Sequence, residues 1–238
     1  RNDHIKQESI YDDFPKSEII FLNKADRKKI IEYLFEKWII TKDNKLHCFE
    51  LKNEIVAENS GFKEFYDFFK KSGYYRGSNY LKINEETMSN DLKKLGRIQS
   101  LLYRILDFKL KISNENTLLS EILVNYRYPF STIKNMVNKM RELEGKNFKE
   151  YLNNFFDLRN SNSDIRKIID YVLIEDIKSY NDLKNFICNI LYRDDEEIDQ
   201  DNINKIDDFF EMDITVFDNW YNFIKGINDK SIEYHTYH

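Results

Sequence analysis

The N-terminal part of the chain alternates short apolar runs with amphipathic stretches. The runs SEIIFL (17–22) and KLHCFEL (45–51) have the length and composition of buried strands. Each run is followed by a stretch with a helical period, at 23–40 and at 53–73. The first of these stretches places its apolar side chains on one stripe: Ile30, Ile31, Leu34, Phe35, Trp38 and Ile39. The order strand, helix, strand, helix predicts parallel strands in an α/β layer.

Residues 84–225 show the helical period alone. We expect Gly73 to end the helix that starts at residue 53. In the segment 131–145, Ser131 has the residue type of a helix N-cap and Gly145 that of a helix end. These positions predict where two of the helices stop or start.

Strand-like alternation returns in SIEYHTYH (231–238), where alternate residues share a face. A strand that follows a long helical excursion most simply rejoins the sheet begun at the N-terminus. The sequence therefore predicts an α/β, mostly helical fold, in which a partial parallel sheet is interrupted by a long all-α insertion. The predicted domain pieces are 1–72 and 213–238, which together form one discontinuous domain, and the helical insertion 73–212.

Composition limits the function classes. Hydrophobic residues make up 41% of the chain and aromatic residues 15%, which predicts a folded chain rather than a disordered one. The net charge of −5 gives no global basic footprint, so any nucleic-acid contact must use a local surface. Cys48 and Cys188 lie in apolar runs and are expected to be buried, which suits a cytoplasmic protein. No apolar run approaches the ~18 residues that a membrane span needs, so no membrane contact is expected.

Two patterns suggest a metal site, and neither fits one. His235 and His238 lie three apart, but in a strand they point to opposite faces. The acidic stretch 194–213 fails as a calcium loop, because an EF-hand loop starting at Asp194 requires glycine where Asp199 lies and glutamate where Lys205 lies. We expect no metal site, and we expect the acidic stretch to be a solvated loop or helix face.

Aromatic residues beside cations raise the possibility of base stacking. A first set has helical spacing and is expected to form core: Phe62, Phe65, Tyr66 and Phe69. Tyr74, Tyr75 and Arg76 lie between two glycines and are the better candidates for an exposed binding surface. The sequence contains no glycine-rich phosphate loop and no nucleophile elbow, so no catalytic residue is assigned to it.

Three segments resemble UvrD/Rep-like superfamily 1 DNA helicases. IEYHTYH is similar to the start of a strand reading roughly hxhxTxH in that family, where a KGLEF-type segment comes next, and it supplies Thr236 and His238. HCFELKNEIVAENSGFKEFYDFF resembles a strand, a short polar loop and a helix of the pattern hhAxxxGF, and RNDHIKQ resembles the segment after the family's NYRS helix. The resemblance covers the two ends of the chain, and the middle corresponds by position only.

The resemblance implies a fragment of the C-terminal RecA-like domain (2A) with its helical 2B insertion. The whole protein would then be a bacterial, ATP-dependent helicase that moves 3′ to 5′ on single-stranded DNA and meets duplex junctions. ATP and Mg²⁺ would bind residues outside this chain, so the fragment alone is expected to bind neither and to be inactive. A GxGKT-type loop before Arg1 and a KGLE-type segment after His238 are expected in the parent protein.

The resemblance also implies the DNA-contacting residues. Thr236 would donate its hydroxyl to a phosphate oxygen, and His238 would bind a phosphate or pack on a base. Lys52 and Asn53, in the loop after the second strand, would add backbone contacts. The insertion would carry a regulatory or partner-docking role, because its acidic run disfavours duplex DNA.

A different class of protein remains open on the sequence alone. A stand-alone helical adaptor could use its acidic face to dock a basic partner protein. Parallel strands at 17–22, 45–51 and 231–238 would favour the helicase, whereas helices or unpaired tails there would favour the adaptor. A nuclease is disfavoured, since no acidic cluster is accompanied by the lysine that such sites usually carry.

Overall fold

A computed structural model of the chain describes residues 27–37, 40, 46–50, 52–122, 129–173, 176–192, 200–227 and 232–236. These parts are mostly helical, as predicted. The strands are β1 (Leu46–Glu50) and β2 (Ile232–Thr236). The helices are α1 (Arg27–Lys37), α2 (Asn53–Ser60), α3 (Lys63–Lys71), α4 (Lys82–Met88), α5 (Arg97–Ser113), α6 (Leu119–Ile122), α7 (Phe130–Arg141), α8 (Phe148–Ser161), α9 (Ser163–Leu173), α10 (Tyr180–Leu191), α11 (Gln200–Phe210) and α12 (Ile214–Lys225).

The two strands pair in parallel, although one lies near each end of the chain. The register runs from Leu46 opposite Ile232 to Glu50 opposite Thr236. This confirms the predicted parallel pairing of the segments 45–51 and 231–238. The first predicted strand, 17–22, lies outside the described residues, and a complete RecA-like sheet stays a prediction. The pairing is contrary to the unpaired tails or helices that the adaptor alternative requires.

The core is built around aromatic side chains of α3, α11 and α12. Trp220 is fully buried and stacks on Phe65, with ring centroids 4.3 Å apart. Its indole N–H donates a hydrogen bond of 2.7 Å to the carbonyl oxygen of Thr87. Phe65 also contacts Phe209 at 5.5 Å between ring centroids. The predicted core face is confirmed, because all four of its side chains are buried: Phe62, Phe65, Tyr66 and Phe69.

This core is continuous across the predicted domain boundaries. Phe69 packs edge-on against Tyr75, and Phe209 packs against Phe217 at 5.1 Å between ring centroids. Buried side chains from Ala57 to Ile224 form one cluster. Helices α2 and α12, which adjoin β1 and β2 in sequence, therefore share their packing with the helical middle, and the boundaries at 72/73 and 212/213 stay predictions.

Three expected helix ends are wrong. Helix α3 ends at Lys71, because the Ser72 hydroxyl and N–H both donate to the Phe69 carbonyl, and Gly73 instead opens a 3₁₀ turn. Helix α7 starts one residue before Ser131, after Pro129, whose fixed φ suits a helix start. The same helix stops at Arg141, four residues before Gly145. Local hydrogen bonds and proline geometry outweigh the residue-type preference at these positions.

Three smaller features complete the fold. The apolar stripe of α1 is only partly buried, since Phe35 is 40% exposed, and Trp38 and Ile39 lie outside the described residues. Cys188 is buried as predicted, whereas Cys48 is half-buried. In the described part of the chain, no helix combines the length and the apolar character that crossing a membrane requires.

Helix α2 ends in a left-handed glycine. Gly61 has a φ of +83°, its N–H donates to the Glu58 carbonyl, and the N–H of Phe62 donates to the Ala57 carbonyl at 2.9 Å. This is the hydrogen-bond pattern of a Schellman motif, in which glycine avoids the clash that a Cβ atom would cause. The helicase-like pattern therefore has a structural role at each of its three fixed positions. Ala57 is buried on the inner face of α2, Gly61 caps the helix, and the N–H of Phe62 closes the cap by its hydrogen bond to Ala57.

We expect Gly61→Ala to lower the free energy of unfolding by about 2 kcal/mol, because left-handed backbone costs an L-residue about 1–2 kcal/mol. An added Cβ would also lie 2.7 Å from Asn219 Nδ2. Urea unfolding followed by circular dichroism measures the loss. Gly226→Ala is the matched control, since Gly226 caps α12 with a φ of +68° but has open space at the Cβ position. Equal losses in the two variants would show that the contact with Asn219 adds nothing.

Candidate nucleic-acid interface

Three of the four predicted site residues lie at one edge of the strand pair. In parallel strands the carboxyl ends meet at the same edge, and here Glu50 and Thr236 are register partners at that end. Lys52 follows shortly after β1, and Asn53 is the first residue of α2. The register thus brings Thr236 to the edge where Lys52 and Asn53 begin the next helix. His238 lies outside the described residues.

The same edge carries the N-terminus of α2. Lys52 is exposed and extended, and its carbonyl accepts the N–H groups of Ile55 at 3.0 Å and Val56 at 3.3 Å. No side chain of the described residues caps this helix start. The N–H groups of Asn53 and Glu54, which precede these two in the first turn, have no acceptor within the helix, and together with the helix dipole they favour an anion. The edge therefore combines an exposed cation with backbone donors.

One carboxylate in the first turn opposes an anion at this edge. Glu54 is acidic, but its side chain forms an ion pair with Lys70 of α3. Both side chains are partly exposed, so the pair contributes little to stability. The effect of the ion pair is electrostatic. Lys70 places a positive charge beside the Glu54 carboxylate, which would otherwise repel a phosphate.

Packing on both sides fixes the position of α2. Val56 and Ala57 are fully buried, and the helix contacts β1, β2, α3 and α12. At its C-terminal end, Asn219 Nδ2 of α12 donates to the Gly61 carbonyl at 3.1 Å. Just beyond, the rings of Phe62 and Phe223 lie 5.0 Å apart. The helix that starts at the candidate interface is therefore attached to α12 at its other end.

The Asp107 carboxylate of α5 is one of the groups that hold α12 on α5. Asp107 accepts a 2.6 Å hydrogen bond from the Tyr221 hydroxyl, and it pairs with Lys225 at 3.0 Å and Lys111 at 2.7 Å. Burial favours the neutral carboxyl, but the hydrogen bonds from Lys111, Tyr221 and Lys225 outweigh it and lower the pKa of Asp107. Burial, then the bond to Asp107, raises the pKa of Tyr221. An ionised Asp107 thus fixes α12 at neutral pH.

The proposed aromatic surface is largely wrong. Tyr75 is buried, donates to Glu86 Oε2 at 2.6 Å and accepts from Gln99 Nε2 at 2.9 Å. Burial, followed by the bond to Glu86, raises its pKa. Tyr74 is half-buried, and only Arg76 is exposed. The flanking glycines suggested an open loop, but successive 3₁₀ turns at Gly73–Tyr75 and Gly77–Asn79 accompany an inward-facing Tyr75.

The acidic stretch is only partly a solvated face. Asp207 accepts from the Tyr180 hydroxyl at 2.8 Å and from Lys184 at 3.1 Å, and it lies 3.4 Å from Lys149. It therefore joins α11 to α8 and α10, which corrects the expectation for this residue. Asp201 is exposed, as expected for a solvated face. Residues 193–199 lie outside the described residues. Among the residues that the structure describes, no group of three or more acidic, histidine or cysteine side chains is placed to hold a metal ion.

The contact of Asn219 with Gly61 has no signal in the local sequence. The two residues are 158 positions apart, and an asparagine in an amphipathic helix carries no local signal for such a contact. In the sequence, Gly61 stands out only as the glycine of the helicase-like pattern hhAxxxGF. Its role as the acceptor of a distant amide required the packing of α12 on α2.

Comparison with known proteins gives one strong similarity. The chain is 33% identical over 248 aligned residues to Gabija protein GajB of Bacillus cereus (strain HuB5-5). The alignment includes 100% of this chain and 36% of that protein, so the chain spans about a third of the relative's length. No protein-family model matches the chain, and no solved structure is significantly similar to it. The chain is thus similar, along its whole length, to a segment of the longer GajB.

Proposed function

We propose that this chain is part of an ATP-dependent, UvrD-like DNA helicase related to GajB, in which it contributes contacts to single-stranded DNA. The observation that carries the proposal is the parallel pairing of β1 with β2. The helicase-like motifs require their two strands to be neighbours, although the helical segment separates them in sequence. The similarity to GajB along the whole chain supports the same assignment.

In this proposal the DNA backbone passes the carboxyl edge of the strands. The Thr236 hydroxyl donates to one phosphate oxygen, Lys52 supplies a point charge, and the first N–H groups of α2 offer further donors. His238 adds a contact to a phosphate or a base. Contacts of this kind position a strand without reading its sequence, as a translocase requires.

ATP and Mg²⁺ are assigned to other parts of the protein. The chain has no glycine-rich phosphate loop, and its described residues hold no cluster of metal-binding side chains. In the part of the chain that the structure describes, no side chain is therefore assigned to the nucleotide, and no step of ATP hydrolysis is placed there. The proposed role of the chain is to hold the DNA while domains of the whole protein supply the hydrolysis.

The test is the steady-state ATPase rate of the full-length protein, measured with and without an oligo-dT strand. We expect the strand to raise the rate, because a translocase couples ATP hydrolysis to its contacts with single-stranded DNA. Duplex DNA of the same length, without a single-stranded end, is the control and should stimulate less. A rate that is the same with and without single-stranded DNA, together with no measurable binding, would reject the helicase assignment.

A further inference from the structure

The helix that starts at the candidate interface has one polar attachment to α12. Asn219 Nδ2 donates to the Gly61 carbonyl at 3.1 Å, and the amide nitrogen lies 2.7 Å from where a Cβ of Gly61 would be. Only a glycine allows this approach without displacement of the amide. The left-handed glycine and the asparagine are thus complementary parts of one contact.

We infer that Asn219 is a positioning residue, which sets the orientation of α2 and so places the donors at its N-terminus against DNA. The inference rests on the proposed function. Because α2 has only eight residues, it is about 12 Å long, and a tilt of about 10° at one end moves the other by about 2 Å. A binding group must keep its position to within about 0.5 Å, so a small tilt is enough to misplace a phosphate contact.

The position of Asn219 is itself fixed by its neighbours on α12. Tyr221 and Lys225 bind Asp107 of α5, and Asp218 pairs with Lys109 at 2.8 Å. These contacts lie one residue before Asn219 and within two turns after it. Helix α5 therefore holds α12, and α12 holds α2 through Asn219.

The need of the Gly61 carbonyl for a donor explains why an amide side chain suits position 219. The last carbonyl groups of a helix lack partners within the helix, and the Schellman bonds satisfy those of Ala57 and Glu58. An asparagine amide supplies a neutral donor to the Gly61 carbonyl.

The experiment measures Asn219→Ala in the full-length protein. We expect the dissociation constant for oligo-dT to rise about fivefold, which corresponds to the free energy of about one hydrogen bond. The slope of log affinity against log salt concentration should fall in magnitude by about 0.7, which marks the loss of the phosphate contact of Lys52, the cation at the displaced helix start. Amides of residues 55–62 should lose protection from hydrogen exchange.

Asn222→Ala is the matched control, because Asn222 is the same residue type on the same helix and is half-buried. It should leave both the affinity and the salt slope unchanged. If Asn219→Ala gives too little folded protein, Asn219→Ser provides the same readouts, since it is polar but lacks the amide that donates to the Gly61 carbonyl.

The possible outcomes separate the inference from the function on which it rests. A lower stability with unchanged affinity and salt slope would overturn the positioning role and leave Asn219 a structural residue. If Lys52→Glu weakens DNA binding while Asn219→Ala does not, only the positioning role fails. If neither variant changes DNA binding, the proposed interface fails as well.

Discussion

Replacing Lys52 by glutamate is expected to weaken binding of single-stranded DNA by the full-length protein about tenfold at moderate salt. Lys52 is exposed at the carboxyl edge of the strand pair, immediately before α2. The substitution removes the cation proposed to contact phosphate and places a carboxylate beside the backbone donors of the helix. Fluorescence anisotropy with labelled oligo-dT, repeated at several salt concentrations, measures both the affinity and the number of phosphate contacts.

Lys93→Glu is the matched control, since Lys93 is an exposed lysine in the helical part of the chain. It makes the same change in net charge away from the strand edge and should alter affinity little. Thr236→Val removes the other proposed donor while it keeps a β-branched side chain, and it should shift affinity in the same direction by a smaller factor. Equal losses for Lys52→Glu and Lys93→Glu would indicate a general charge effect and contradict a local interface.

Trp220→Ala is expected to lower the free energy of unfolding by about 4 kcal/mol. Trp220 is fully buried, stacks on Phe65 and donates to the Thr87 carbonyl. Truncation leaves a cavity among aromatic rings and a buried carbonyl without its donor, and these two costs add. Urea unfolding followed by far-ultraviolet circular dichroism measures the change, because this signal does not depend on tryptophan fluorescence.

Two controls separate the causes. Trp220→Phe keeps most of the ring volume but loses the hydrogen bond, so we expect a loss of about 1–2 kcal/mol. Tyr80→Ala removes an aromatic side chain that is 52% exposed and should change stability by less than about 0.5 kcal/mol. A loss below about 1 kcal/mol for Trp220→Ala would show that this ring is not central to the core.

The sequence was sufficient for features that depend on local periodicity. The alternation at 232–236 predicted a strand, and its parallel partner followed from the order of elements at the other end of the chain. The spacing of Phe62, Phe65, Tyr66 and Phe69 predicted their burial, since one face of an amphipathic helix must pack. In these cases the signal lies within a few neighbouring residues.

Features that depend on distant partners were missed or wrong. Tyr75 faces inward because Glu86 and Gln99 supply hydrogen-bond partners. The residues next to Tyr75 in sequence do not indicate these partners. Asp207 lies in an acidic stretch that suggested solvent exposure, but lysines of two other helices bind it. The Asn219 contact belongs to the same class. Residue type states which groups a side chain can bind, and only packing decides whether a partner is present.

The parallel pairing of β1 with β2 has a consequence for biosynthesis. About 180 residues separate the two strands, and translation at 5–20 residues per second takes about 10–40 s to cover that distance. During this interval β1 has emerged without β2, while the helices between them form contacts that are local in sequence. The strand edge proposed to hold DNA is therefore completed only after the helical part between the strands has had time to fold on the ribosome.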